Sequence, residues 1–137
     1  MTSASAAATR RLNASQLLDA AERLLDEDDA ASAGVWQRTA ALLIREAIEL
    51  ALTLFWRRRA PSVLQLSTSD RWLCLPAYLG ERPAAHAAEY AWTALSDACH
   101  YRSYDVGLTQ DELRAQLATA RAFLVAVARA LTPDAGG

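Results

Sequence analysis

From Leu113 to Leu131 an apolar side chain recurs at Leu113, Leu117, Ala120, Leu124, Val127 and Leu131, with spacings of four, three, four, three and four. That period fits one face of an α-helix and does not fit a strand, whose faces alternate every second residue. The helix start is also readable. Thr109-Gln-Asp-Glu112 has the form of a capping box, with the threonine hydroxyl serving one orphan N–H and Glu112 reaching back to another. Thr132-Pro133 stops the helix.

The same period runs through the rest of the chain. Leu12 to Asp29 reads as a helix capped by Asn13 or Ser15, with Leu17, Leu18, Ala21, Leu24 and Leu25 on one face. Its acidic end, Asp26-Glu27-Asp28-Asp29, opposes the helix dipole and is expected to fray. Ser32 to Arg59 is the longest helix. Trp36, Ala40, Leu43, Ala47, Leu50 and Leu54 form a stripe that Ile44, Ile48, Ala51 and Phe55 widen. A stripe this broad implies packing on several neighbours or a share in a dimer face. Arg45 and Glu49 are spaced to pair at i, i+4. Pro61 to Ser69 is a connector that packs down through Val63, Leu64 and Leu66. A short helix follows from Asp70 to Leu79, capped by Thr68 or Ser69. Pro76 is expected to kink it or split it into two turns, and Gly80 to end it in the left-handed region. Arg82 to Tyr104 is the fourth long helix, with Pro83 in its first turn. Ala88, Trp92, Leu95 and Cys99 form its apolar edge, and His86, Glu89, Thr93, Ser96, His100 and Ser103 a polar one.

The expected fold is therefore all-α: an antiparallel bundle of four long helices and one short one over residues 12–132, with tails at 1–11 and 133–137. Trp36, Leu43, Ile44, Leu50, Leu54, Trp92, Leu95, Leu117, Leu124 and Val127 are expected in the core or at an interface. A hydrophobic fraction of 53%, dominated by Ala and Leu, agrees with this reading.

Charge and cysteine usage narrow the function classes. The net charge of −2 supplies no global basic field for nucleic acid. All 14 basic residues are arginine, which reads as the codon bias of a GC-rich genome. Cys74 and Cys99 read as small core hydrophobes in a reducing cytosol. No apolar run approaches the ~20 residues of a membrane span, and residues 1–11 lack a signal-peptide core. A cytoplasmic protein with no membrane association is expected.

Few residues offer chemistry. Asp97, His100 and Tyr104 lie one turn apart. They make either an acid–base group, with the carboxylate orienting the imidazole, or a hydrogen-bonded cluster that holds the following Asp105-Val106-Gly107 turn. Arg57-Arg58-Arg59 is either a charged helix end or a small phosphate-binding patch. No metal or cofactor is expected. His86 and His100 stand fourteen residues apart on one helix, roughly 21 Å along its axis, and no C-x-x-C or H-E-x-x-H occurs. G-x-S-x-G and phosphate-binding glycine loops are likewise absent.

Two segments carry a family resemblance. L-L-I-R-E-A-I-E-L-A (42–51) and L-S-D-A-C-H-Y-R-S-Y-D-V (95–106) resemble the HEPN superfamily of small helical bundles, and in particular HEPN-like actinobacterial proteins with a C-H-x-x-x-Y segment before a T-x-x-E-L helix. The resemblance spans residues 35–131. It implies a homodimer. Active members cut RNA without metal, using an arginine and a histidine four to six residues apart on one helix. His100 matches that histidine, but Thr93, Ala94 and Leu95 stand where the arginine belongs. What the resemblance implies is thus a non-catalytic interaction or nucleotide- or RNA-binding protein, set in phage defence or a toxin–antitoxin pair, with a protein partner or RNA as its ligand. Its alternatives are a divergent ribonuclease and a structural dimerisation module. In the ribonuclease, His100 acts with Arg102 or Arg45 as charge stabiliser and Asp97 or Tyr104 as orienter. Arg45, Arg57, Arg58 and Arg59 are the candidate nucleic-acid contacts.

Overall fold

The computed structural model describes residues 12–27, 35–100 and 108–133, without the side chain of His100. These residues form five α-helices and one 3₁₀ turn, and no strand occurs among them. The helices are α1 (Ala14–Asp26), α2 (Val35–Arg59), α3 (Thr68–Leu79), α4 (Arg82–His100) and α5 (Gln110–Leu131).

Local chemistry fixes the helix ends. Asn13 caps α1: its side chain accepts from the Gln16 N–H while Gln16 returns a bond to the Asn13 N–H. Thr109 and Glu112 make the same reciprocal pair at α5. The cap of α3 is Ser67, one residue before the expected threonine, because Ser67 is the last residue with extended backbone and its Oγ reaches the Asp70 N–H. Pro76 lies within a single helix and does not divide it. A proline forfeits one helical hydrogen bond, and Trp72, Leu75 and Leu79 on the same helix are buried in the core, which outweighs that local loss. Gly80 ends α3 at φ +82°. The connector packs down as a 3₁₀ turn, Pro61–Gln65, with Val63 buried. Arg71 of α3 holds it by donating to the Leu64 and Leu66 carbonyls.

Cross-helix bonds set the directions. Arg121 pairs with Asp19 and Glu22, while Arg114 pairs with Asp26 and donates to the Leu25 carbonyl. Residue numbers fall along α1 as they rise along α5, so the two run oppositely. Gln110 also donates to the Leu25 carbonyl. The acidic end of α1 is thus tied to α5 as far as Asp26, and the expected fraying of residues 28–29 lies outside the described residues.

The core gathers against α2. Ala40, Ala41, Ile44, Ala47, Ile48, Ala51, Leu52, Phe55 and Trp56 are buried there, with Leu18, Leu25, Leu75, Leu95, Leu113 and Phe123 from the other helices. Of the expected core residues, Ile44, Leu95, Leu117 and Val127 are buried, and Trp36, Leu43, Trp92 and Leu124 are partly buried against the core. Leu50 and Leu54 are not in the core: each is 40% exposed. The stripe on α2 is wider than any one neighbour, and α1, α4 and α5 cover its Ile44–Ile48–Phe55 side. Trp56 is fully buried, edge-on to Phe55 and Tyr78 at 5.1 Å. Trp72 packs between Trp92 and Phe123. Among the described residues neither the Trp56 nor the Trp72 indole N–H has a hydrogen-bond partner, so their apolar burial offsets a desolvation cost of about 1–3 kcal/mol each.

Candidate functional site

A polar junction lies between α2 and α4, one turn before His100. Arg45 sits midway along α2 with a quarter of its side chain exposed. Its Nε donates to Ser96 Oγ of α4 at 2.9 Å, and its Nη2 pairs with Glu49 Oε1, one turn along α2, at 3.2 Å. Trp92 Nε1 of α4 donates to the same Glu49 oxygen at 2.9 Å, and the Arg45 guanidinium lies 5.8 Å from the centre of the Trp92 ring. Four side chains therefore make a closed unit: a cation, its carboxylate, an indole that serves both, and a hydroxyl. Since Arg45 meets Ser96 and Glu49 meets Trp92, α2 and α4 also run in opposite directions.

The local sequence accounts for this arrangement. Arg45 and Glu49 are one turn apart on α2, as are Trp92 and Ser96 on α4, so each helix presents one face carrying two polar groups. Beside the unit lies Cys99. Burial pushes its thiol above its ordinary value, and the positive charges of Arg45 and then Arg38 oppose that rise. A raised thiol is a poor nucleophile at neutral pH. Both Cys74 and Cys99 are free and partly buried.

The structure places the remaining candidates as follows. Asp97 is exposed on α4. His100 is the last residue of α4, with its side chain outside the described residues, as are Arg102 and Tyr104 altogether. Whether His100, Arg102, Asp97 and Tyr104 meet therefore lies outside the described residues. Arg57, Arg58 and Arg59 are exposed in the last turn of α2. They begin twelve residues beyond Arg45, roughly 18 Å along the axis, so they and Arg45 do not form one site. Among the described residues no three His, Cys, Asp or Glu side chains group as a metal site would require. No helix among them is long and apolar enough to cross a membrane.

Sequence reasoning found the Arg45–Glu49 pair from its spacing but missed the parts played by Trp92 and Ser96. The Arg45–Ser96 bond joins positions 51 residues apart, and no local pattern signals it. Comparison with protein-family models, with curated proteins and with solved structures finds no match to this chain.

Proposed function

We propose that the chain is a non-catalytic HEPN-like protein that binds a nucleotide or RNA phosphate beside the Arg45–Ser96 junction and acts as a homodimer. The observation that carries this reading is the engagement of Arg45. α2 delivers a guanidinium to Ser96, four residues before the family histidine, on the helix that lacks the family arginine. The cation is then held by Glu49 and by the Trp92 ring. An arginine so tied keeps a quarter of its side chain exposed beside the Trp92 ring, and guanidinium and indole groups suit phosphate and base recognition. It is poorly placed to swing onto a developing phosphorane, because that motion breaks its bonds to Ser96 and Glu49. The surroundings implied by the resemblance, phage defence or a toxin–antitoxin pair with a protein partner, form part of the same proposal.

The arginine's position also favours one alternative, a divergent ribonuclease in which Arg45 replaces the missing arginine and works with His100. One experiment separates the two. Metal-free wild type, His100→Ala and Arg45→Gln, each checked for folding by circular dichroism, are assayed for cleavage and for binding of labelled single-stranded RNA. Binding without cleavage, weakened about tenfold by Arg45→Gln, is the expected result. Cleavage by the wild type that His100→Ala abolishes would establish the ribonuclease instead. Neither binding nor cleavage would sink both readings.

A further inference from the structure

The opposite side of α2 carries a feature unrelated to that junction. A groove of about 420 Å³ runs between the start of α1, the second half of α2 and the end of α5. Leu12, Leu50, Leu54, Leu124 and Leu131 line it, and among the described residues Arg57 is the one charged group in its wall and no carboxylate lines it. Arg57 has no hydrogen bond or ion pair among the described residues, whereas Arg45, Arg114, Arg121 and Arg129 all have a carboxylate partner. The volume lies within the ~300–1,000 Å³ of small-molecule sites, which combine an apolar lining with a few polar groups that fix orientation.

We propose that this groove binds a free aliphatic monocarboxylate of about eight to ten carbons, with the chain along the leucines and the carboxylate on Arg57. Length and charge both lead to this class. Leu124 to Leu131 is seven residues of helix, roughly 10 Å. An extended chain advances roughly 1.2 Å per bond, so about eight bonds span that distance. A purely apolar ligand would leave Arg57 unanswered, and a phosphate or a nucleotide would leave the leucines in water. An amphiphile with one anionic head satisfies both, and the guanidinium matches a carboxylate through paired N–H···O bonds. This site is independent of the nucleotide-binding reading, because it uses a different face of α2 and none of the residues at the Arg45 junction.

The test is a titration of the full chain with sodium decanoate below its micelle concentration, followed by amide chemical shifts in NMR. Saturable one-to-one binding is expected, with the largest shifts at Leu50, Leu54, Leu124 and Leu131. Affinity should rise about fourfold per methylene from hexanoate to octanoate and level off near decanoate. Leu54→Glu should abolish binding, since it sets a carboxylate in the groove at a position already exposed and therefore free of a folding penalty. Arg57→Gln should weaken decanoate about tenfold and leave decanol unchanged. Absence of saturable binding to the folded wild type overturns the proposal. So does equal binding of decanoate and decanol. A wild-type dimer that Leu54→Glu converts to monomer, with no decanoate bound in either, would show that a second copy of the chain covers the groove instead.

Discussion

The two faces of α2 invert the usual rule of burial. Toward α4, the charged pair Arg45 and Glu49 is drawn in to 25% and 33% exposure. On the groove side, Leu50 and Leu54 are left 40% exposed. The first face succeeds because each polar group entering it meets a partner of matched chemistry: guanidinium with hydroxyl and carboxylate, carboxylate with indole N–H. The second face stays open because the start of α1 and the end of α5 border it and no other described segment fills the gap between them. Polarity alone does not decide what a helix buries; the availability of a complementary neighbour does.

Substitutions on the three sides of α2 test that contrast. The largest effect is expected at its core side, where Phe55→Ala should lower stability by about 3–5 kcal/mol in chemical denaturation, through lost transfer energy and a residual cavity. A loss as small as that of a surface substitution would mean that the core does not lie on this side. At the polar face, Arg45→Ala should cost about 1–2 kcal/mol, as Glu49 keeps only its bond to Trp92. A double-mutant cycle with Glu49→Ala should show coupling of about 0.5–1 kcal/mol. Zero coupling would show that the Arg45–Glu49 pair contributes nothing to stability. At the open face, Leu54→Ser should change stability by no more than about 0.5 kcal/mol; a loss above 2 kcal/mol would place Leu54 in a buried contact, such as a dimer interface.

The smallest expected effect concerns pH beside the polar face. Burial raises the Cys99 thiol in the folded chain above its ordinary value of 9.0. The unfolded chain therefore loses that proton first as pH rises. The contribution is intact below pH 9 and is lost as pH climbs from there through the folded-state value. Stability of the wild type should decline above pH 9 more steeply than that of Cys99→Ala, measured by urea denaturation at a series of pH values. Parallel pH profiles would show that the thiol is not desolvated.

What was legible in the sequence were the features set by neighbours in the chain. The Thr109–Glu112 box, the Asn13 cap, the left-handed Gly80 and the Arg45–Glu49 pair all depend on residues within one turn, and each stands as its spacing implies. The phase of burial on α2 was not legible. Leu43, Leu50 and Leu54 are as apolar as Ile44, Ile48 and Phe55, and only the placement of other helices decides which set is covered. Trp56 shows the same dependence: the sequence leaves it open between core and interface, and Phe55 and Tyr78 packed edge-on against it go with its full burial. At the candidate site, Arg45 was legible as the i, i+4 partner of Glu49, but its bond to Ser96 depends on the packing of α2 against α4. Pro76 is a milder case, in which tertiary packing keeps one helix where local preference favours a break.

The two unpartnered indoles give the molecule a built-in clock. The Trp56 and Trp72 N–H groups are shut off from bulk solvent and meet no acceptor among the described residues. Solvent reaches them only when α2 and α3 leave the core, so both should exchange with deuterium at the rate of global opening. They also emit from a dry environment, so their fluorescence should stay blue until the cooperative transition and then shift red in a single step. Trp36 and Trp92, which are only partly covered, should lose their protons earlier through local openings. Four indoles in one chain would thereby separate the breathing of its surface from the failure of its core.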